Sequence, residues 1–290
     1  PCFAEKMHAN RGGLLQLLSG RNRWFVACER AVFAADSRTE ILSLSEREKH
    51  FFQRWYATPE QRFHPIQPFL AGERLALQDK TKVRQSVRQE LGFGPDDYLI
   101  LMVGSGFRMK GLDRAIEGVA ALPPGIKCKT RLVAVGQDNP KSFQRMVSVL
   151  RLGAHVQLHP GRDDIPQLMQ AADLLVHPAR RELAGHVLLE AMASGLPVLA
   201  SGACGFGFHI SKAEAGVILP EPYRQADFNR EMANMLVSPQ REAWSRNGVI
   251  YARSLVAAND GAADVRLLIT LAERKQQLAQ ASNENPHVAV

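Results

Sequence analysis

Short apolar runs alternate with longer amphipathic stretches along most of this chain. The runs at residues 98–103, 130–135 and 174–176 are largely apolar, which is typical of strands buried on both faces of a parallel sheet. Each is followed by a stretch with helical periodicity. The pattern predicts an α/β fold on a parallel sheet, in which ligands bind beyond the carboxyl ends of the strands.

Residues 174–201 are predicted to form the central unit of the chain, a strand, loop, helix, turn and strand. The strand at 174–176 ends before Pro178, which donates no ladder hydrogen bond. A helix is predicted at 187–194, because Gly195 suits a helix C-terminus and Pro197 prevents continuation. The next strand follows directly from Pro197.

Two carboxylates bracket this unit. Glu182 lies in the loop after the strand, and Glu190 lies on the predicted helix. The helix start at 184–186 attracts anions, because its N–H groups are free and its dipole is positive. One carboxylate suits the two hydroxyls of a ribose and the other suits a polyol beyond the phosphates. The alternative is two surface glutamates without a ligand.

A second anion signal follows the strand at 98–103. Gly104-Ser105-Gly106 comes directly after this strand, and Lys110 stands where the next helix is predicted to begin, near Gly111. A cation beside a helix N-terminus is unfavourable unless an anion is also present. Lys110 therefore indicates a phosphate, and the alternative is a solvated lysine offset by Asp113 and Glu117.

The first third of the chain predicts a second, smaller part. Residues 1–35 are basic and amphipathic. This pattern is typical of a segment that binds an anionic membrane surface, or of a helix hairpin that packs within its own domain. A strand at 39–44, a helix to Tyr56 and an extended run at 63–68 follow. We predict domains at 1–70 and 71–255, with a terminal helix and polar tail at 256–290.

Composition narrows the classes of function. The 290 residues carry a formal net charge of +7, which favours anionic partners. No signal peptide and no apolar run long enough for a transmembrane helix is evident. The four cysteines lie far apart without metal-ligand spacing, which indicates reduced, cytoplasmic thiols. No nucleic-acid-binding module is evident, so we expect no nucleic-acid partner.

The sequence Glu182-(seven residues)-Glu190, followed by Ala191-Met192-Ala193-Ser194-Gly195-Leu196-Pro197-Val198, carries a family resemblance. It resembles the signature of retaining GT-B glycosyltransferases of family 4, and within it the glucosyltransferases of the lipopolysaccharide core. The resemblance implies a GT-B fold with a complete C-terminal Rossmann-like domain and a remnant of the N-terminal one. It implies glucose transfer from UDP-glucose to an inner-core heptose, without metal or other cofactor.

The resemblance also implies roles for individual residues. Glu182 holds the donor sugar, Glu190 holds the ribose, and Lys110 neutralises the donor diphosphate, so Lys110 and Glu182 are the expected catalytic residues. The loop around Arg162 lies beside the nucleotide base, with Arg162 near the phosphates. The full set of expected donor-binding residues is Gly104, Ser105, Arg108, Lys110, Arg162, Glu182, Ala184, Gly185, His186, Val187 and Glu190.

The chain departs from the family pattern at three places. Met109 stands at the position of a phosphate-binding arginine, so either neighbouring Arg108 reaches the same phosphate or this stabilisation of the leaving group is lost. Gln67-Pro68-Phe69 stands where members carry Pro-Pro-Gly. Members also carry a further stretch before the segment that matches Pro1, so the resemblance implies that the N-terminal part is missing.

Two other functions stay open at this point. A truncated, inactive sugar-nucleotide-binding fragment would keep Glu190 and lose transfer. A nucleotide-dependent oxidoreductase would need a third glycine where Met109 stands. For the enzyme, the resemblance implies a lipopolysaccharide acceptor and peripheral contact of residues 1–35 with the cytoplasmic face of the anionic inner membrane.

Overall fold

The computed structural model describes residues 19–70, 80–258 and 261–284. Packing divides the chain into two compact units. The larger comprises residues 70–255, and the smaller takes the chain on both sides, residues 2–69 and 256–290. Of the helices in the described ranges, none has the length and apolar character needed to span a bilayer.

The smaller unit contains a two-stranded parallel sheet with helices before and between its strands. Its elements are α1 (Gly20–Phe33), β1 (Ile41–Ser43), α2 (Glu46–Tyr56), a short 3₁₀ turn (Glu60–Arg62) and β2 (Phe63–Pro65). Ile41 pairs with Phe63 in this sheet. Buried Arg62 donates to the carbonyls of Ala34, at 2.6 Å, and Thr39, at 2.8 Å. Both strands are confirmed in place and are shorter than the runs predicted.

The larger unit alternates strands with helices. Its elements are α3 (Lys80–Glu90), β3 (Tyr98–Val103), α4 (Phe107–Lys110), α5 (Leu112–Ala120), α6 (Pro124–Lys127), β4 (Thr130–Val135), α7 (Lys141–Val149), β5 (Val156–His159), α8 (Ile165–Ala171), β6 (Leu174–His177), α9 (His186–Ala193), β7 (Val198–Ser201), α10 (Gly207–Ala213), β8 (Gly216–Leu219), α11 (Gln225–Val237) and α12 (Arg241–Ala258). The final helix, α13 (Ala262–Glu284), belongs to the smaller unit.

The six strands of the larger unit form one parallel sheet in the order β5-β4-β3-β6-β7-β8. The chain first builds outward from β3 and then returns to place β6 on its other side, with Ile100 opposite Leu174. This reversal is a topological switch point, where the loops beyond two neighbouring strands diverge and leave a crevice. The predicted α/β fold and parallel sheet are confirmed.

Apolar side chains on both faces of the sheet make the core. Leu99, Ile100 and Leu101 of β3 are completely buried, as are Leu175 and Val176 of β6. Helices from both halves of the unit cover them, which is why the strand sequences lack polar alternation. The ends of β3 and β6 are therefore fixed by packing.

Asp173 fixes the amino end of β6. Its buried carboxylate accepts hydrogen bonds from Arg84, at 2.6 Å, Arg88, at 3.2 Å, and Arg241, at 2.6 Å. It also accepts the backbone N–H of Leu99, at 2.7 Å, which connects it to β3. Burial alone would raise the pKa of the Asp173 carboxyl. Arg84 and the other donors have the larger effect, so the pKa lies below its usual range.

Two local details differ from the predictions. The helix expected from Gly111 is preceded by the single turn α4, because Gly111 adopts a left-handed conformation with φ 83° and separates α4 from α5. Of Asp163 and Asp164, the two candidates in the sequence for the cap of α8, Asp164 occupies the cap position, but its side chain pairs with Arg162 and makes no cap bond. The predicted features at 1–18 and 71–79 lie outside the described residues.

Candidate donor site at the switch point

Two loops define the crevice at the switch point. The loop after β3 carries Lys110, and the loop after β6 carries Glu182. Direct hydrogen bonds connect these loops: the N–H of Arg180 donates to the carbonyl of Met109, at 2.8 Å, and Arg114 donates to that of Pro178, at 3.0 Å. They therefore form one frame although they are distant in sequence.

The loop carrying Glu182 is also fixed from the side of β7. Glu182 forms an isolated parallel bridge with Cys204. The N–H of Gly205 donates to the carbonyl of Glu182, at 3.1 Å, and the N–H of Phe206 donates to that of Ala184, at 2.8 Å. A Cβ at Gly205 would overlap the carbonyl oxygen of Leu183, so this close backbone approach requires glycine. The position of Glu182 is consequently set from two sides.

Glu182, Lys110 and His177 form a charged cluster in the crevice. Both Lys110 Nζ and His177 Nε2 contact the same carboxylate oxygen of Glu182, Oε2, with the histidine nitrogen at 3.0 Å. Burial raises the pKa of Glu182, but hydrogen bonds from His177 and Lys110 outweigh it and lower the pKa to about 2. Glu182 is therefore ionised at neutral pH. The partner of Lys110 is Glu182, and neither Asp113 nor Glu117 forms an ion pair with it.

Helix α9 begins directly beside this cluster. Gly185 precedes it in a left-handed conformation, φ 96°, and a Cβ there would lie 3.2 Å from Cγ of Glu182. Within the described ranges, the N–H groups of Gly185, His186 and Val187 have no acceptor, as expected at a helix start. His186, Val187 and Glu190 share the accessible stripe of α9, whereas its other face is buried. The arrangement offers an anion site with a carboxylate one turn away.

Comparison with known proteins identifies the family of this chain. The family described as "Glycosyl transferases group 1" matches residues 83–249, more than half of the chain. The chain belongs to this glycosyltransferase family. It is 38% identical over 267 residues to lipopolysaccharide glucosyltransferase WaaG of Escherichia coli K12, covering 91% of the chain and 71% of that protein. The enzyme class, a hexosyltransferase, and the recognised family are thereby confirmed.

More distant relatives match a smaller share. D-inositol 3-phosphate glycosyltransferase of Jonesia denitrificans is 26% identical, over 62% of this chain and 45% of its own length. The chain thus spans about half the length of such relatives.

Solved structures establish the GT-B type of fold. A crystal structure of WaaG, a glycosyltransferase involved in lipopolysaccharide biosynthesis, matches with a TM-score of 0.84 at 38% identity, over 91% of this chain and 72% of that one. Anabaena HepE in complex with UDP-glucose matches with a TM-score of 0.70 at 22% identity, over 86% and 68%. The second match shows similarity of fold alone.

The glycine loop of this glycosyltransferase contains an acidic partner that sequence reasoning missed. Asp138, in the loop after β4, accepts the N–H groups of Gly106 and Phe107, the latter at 3.1 Å. Ser105 Oγ accepts the N–H of Gln137, at 3.1 Å. These bonds shape the start of α4 and occupy the N–H groups of Gly106 and Phe107. The turn after β4 was the only sequence signal for Asp138.

The two predicted arginines lie apart from the charged cluster. The Arg108 side chain is exposed, and its nearest acidic group is Asp113, at 3.9 Å. Arg162 pairs with Asp164, at 2.7 Å, and Glu90, at 2.8 Å, and these hydrogen bonds raise its pKa. Its loop follows β5, three strands from β6. Contact of either arginine with donor phosphates remains a prediction.

His209 of the glycosyltransferase is a core residue and is not part of the charged cluster. It is buried, and its Nδ1 lies 2.8 Å from the Tyr251 hydroxyl. Burial, aided by Lys212, lowers the pKa of His209 to about 4, so the ring is neutral. In the described part of the chain, no group of three His, Cys, Asp or Glu side chains could hold a metal ion. Catalysis without metal remains a prediction.

Proposed function

We propose that this enzyme transfers glucose from UDP-glucose to a heptose of the lipopolysaccharide inner core. The coarser function, glycosyl transfer in lipopolysaccharide biosynthesis, follows from its 38% identity to the E. coli glucosyltransferase over 71% of that protein. The choice of donor rests on that enzyme's glucosyl transfer and on UDP-glucose in the similarly folded HepE structure.

The donor diphosphate would lie between Lys110 and the start of α9. Lys110 approaches from the loop after β3, and the free N–H groups of Gly185, His186 and Val187 approach from the other side. Negative charge on the diphosphate grows as the glycosidic bond breaks. Fixed positive groups aimed at that charge stabilise the transition state more than the bound donor, which accelerates transfer.

The two glutamates would bind the sugars at either end of the diphosphate. Glu190 lies one turn into α9 on its accessible stripe, where its carboxylate can accept both hydroxyls of the uridine ribose. Glu182 lies beside Gly185 at the helix start and carries a negative charge throughout the physiological range, since its pKa is about 2. It would accept hydroxyl groups of the glucose and orient its anomeric carbon.

Helix α1 supports contact with an anionic membrane surface. No residue of α1 is buried, and Trp24 and Phe25 are 62% and 40% exposed. Three arginines accompany them, Arg21, Arg23 and Arg30. Exposed aromatic residues with basic neighbours suit the headgroup layer of a membrane that also carries the lipid acceptor. We propose that the enzyme is cytoplasmic and bound peripherally to the inner membrane, with α1 at the membrane surface.

One observation carries the proposal: Lys110 and Glu182 meet in the crevice at the switch point, directly beside the open start of α9. The test is transfer of radiolabelled glucose from UDP-glucose to purified lipid A–core acceptor that ends in heptose. We expect transfer that Glu182→Gln lowers at least about 100-fold, as does the loss of one transition-state contact in other enzymes. Glu117→Gln, on α5, is the matched control.

The transfer assay, combined with binding measurements for UDP-glucose, UDP and NADH, also separates the two alternatives. Binding of UDP-glucose without transfer to any heptose acceptor would favour a binding protein without transferase activity. Binding of NADH in place of UDP would favour an oxidoreductase and would overturn the proposal.

A further inference from the structure

The side chain of His177 combines complete burial with one polar contact. It is the last residue of β6, 1% exposed, and opposite Ala200 of β7. Its carbonyl accepts the N–H of Ala179, at 2.8 Å, so its backbone is fixed as the chain leaves the strand. The ring therefore has a defined position next to the crevice.

The two ring nitrogens of His177 have different environments. Nε2 lies 3.0 Å from Oε2 of Glu182, whereas Nδ1 is buried with no hydrogen-bond partner among the residues that the structure describes. Because an ionised carboxylate only accepts, Nε2 must carry the proton, and a neutral ring leaves a lone pair on Nδ1. Burying an unsatisfied nitrogen is unfavourable. An apolar residue would fill this core position at lower cost, so the imidazole is explained by its bond to Glu182.

The two oxygens of Glu182 also differ. Oε2 accepts from both His177 and Lys110, and Oε1 accepts no hydrogen bond within the described ranges. In the donor complex Lys110 would turn toward the diphosphate, since that group carries more negative charge. His177 would then be the protein donor that still fixes the orientation of the Glu182 carboxylate.

We infer that His177 is a positioning residue for hexose recognition. This inference rests on the proposed function, because it assumes that Glu182 binds the donor sugar. His177 fixes Oε2, so that Oε1 is presented to a hydroxyl of the hexose in one orientation. If His177 only supported the fold, its replacement would weaken the binding of UDP and UDP-glucose equally. If it positions Glu182, its replacement weakens only the binding of the ligand that carries the sugar.

The experiment compares His177→Gln with His177→Asn in the full chain. The glutamine amide reaches the place of Nε2, and the asparagine amide reaches only the place of Nδ1, so the pair differs in contact with Glu182 but not in chemical type. Calorimetric titration gives Kd for UDP and for UDP-glucose. The ratio of the two is the readout, and Glu182→Gln and His155→Asn are the references. His155 is a half-buried histidine that contacts the carbonyl of Thr130.

We expect His177→Asn to raise the ratio Kd(UDP-glucose)/Kd(UDP) about 10-fold, as loss of a hydrogen bond to a charged group predicts. Glu182→Gln should raise it at least as much, His177→Gln should stay within about 3-fold of the unmodified chain, and His155→Asn should leave it unchanged. Thermal melts check that each variant folds.

An unchanged ratio in His177→Asn, or an equal loss of affinity for both ligands, would overturn the role of His177. If the unmodified chain bound neither ligand, the proposed function itself would fail. If Glu182→Gln left the ratio unchanged while UDP still bound, the assignment of the hexose to Glu182 would fail, and the role of His177 with it.

Discussion

Arg180 binds Asp113 through two parallel hydrogen bonds, from Nη1 to Oδ1 at 2.7 Å and from Nη2 to Oδ2 at 2.6 Å. The two residues are 67 positions apart and belong to the two segments that meet at the switch point. Their bidentate pairing fixes the loop after β6 against the first turn of α5. The positions of Lys110 and Glu182 are therefore fixed by contacts outside their own ion pair, among them the pair of Arg180 and Asp113.

Replacing Arg180 with lysine tests this frame. Lysine keeps the charge but cannot bind a carboxylate through two parallel donors. We expect Arg180→Lys to lower the free energy of unfolding by about 1 kcal/mol, since the pair is partly exposed, and to weaken UDP binding by about 3- to 10-fold through the displaced loop. Urea unfolding and calorimetry measure the two effects. Arg131→Lys, whose guanidinium contacts backbone carbonyls near the start of β4, should change neither.

Gly111 makes a second contact between the same two segments, against the backbone of Pro178. Its φ of 83° is unfavourable for other residues, and a Cβ there would overlap the carbonyl oxygen of Pro178. Gly111→Ala should destabilise the fold by about 2–4 kcal/mol, because either the backbone conformation or the loop must shift. Gly125, with no atom within 4 Å of an added Cβ, is the matched control. If both alanine variants unfolded at the same urea concentration, the close packing of the two loops would be refuted.

Asp173 should dominate stability at the opposite end of the strands. Asp173→Asn removes the buried charge that compensates Arg84, Arg88 and Arg241, and we expect a loss of about 3 kcal/mol. Because folding lowers the pKa of Asp173, its contribution is complete above the unfolded pKa, near 4, and declines only as the pH falls below that value. Urea unfolding at pH 7 measures the loss. Asp227→Asn, which breaks an exposed pair with Arg230, should cost little.

The stability of the fold should also depend on pH through His209. Here burial favours the neutral form of the side chain, whereas the donors around Asp173 favour its charged form. The folded pKa of His209 is about 4, below the unfolded value near 6.5, so the unfolded chain takes up a proton first as the pH falls. The free energy of unfolding should decrease by up to about 1.4 kcal/mol per pH unit between pH 6.5 and 4 from this residue. His209→Phe should flatten this part of the profile. A profile of unchanged slope in the variant would contradict the buried, neutral state of His209.

The sequence predicted the strands and the position of the site because both depend on local patterns. The apolar runs at β3 and β6 each specify a buried parallel strand, and the glycine and proline after α9 specify its end. These patterns place Lys110 and Glu182 on loops that leave the carboxyl edge of one sheet. Their placement there followed from the order of elements without knowledge of any contact.

Other features of the site depend on pairing between distant segments. Lys110 contacts Glu182, 72 positions away, where local sequence offered Asp113 and Glu117 as partners. Asp138 fixes the start of α4 from a loop 32 positions further on. His177 resembles an ordinary buried strand residue in sequence, and only its distance to Glu182 gives it a role. Such side-chain contacts arise from tertiary packing, which a single sequence does not encode in any short motif.

The central claim is that a sugar nucleotide binds in the crevice between the loops after β3 and β6. Titration calorimetry with UDP tests it most directly, using the unmodified chain, Lys110→Ala and Glu190→Ala, with Lys129→Ala and Glu117→Ala as controls. We predict that UDP binds the unmodified chain and both controls with equal affinity, and that each of the two site variants weakens binding at least about 10-fold, since each loses a charge-assisted contact. Equal UDP affinity in all five proteins, or no UDP binding to the unmodified chain, would contradict the account.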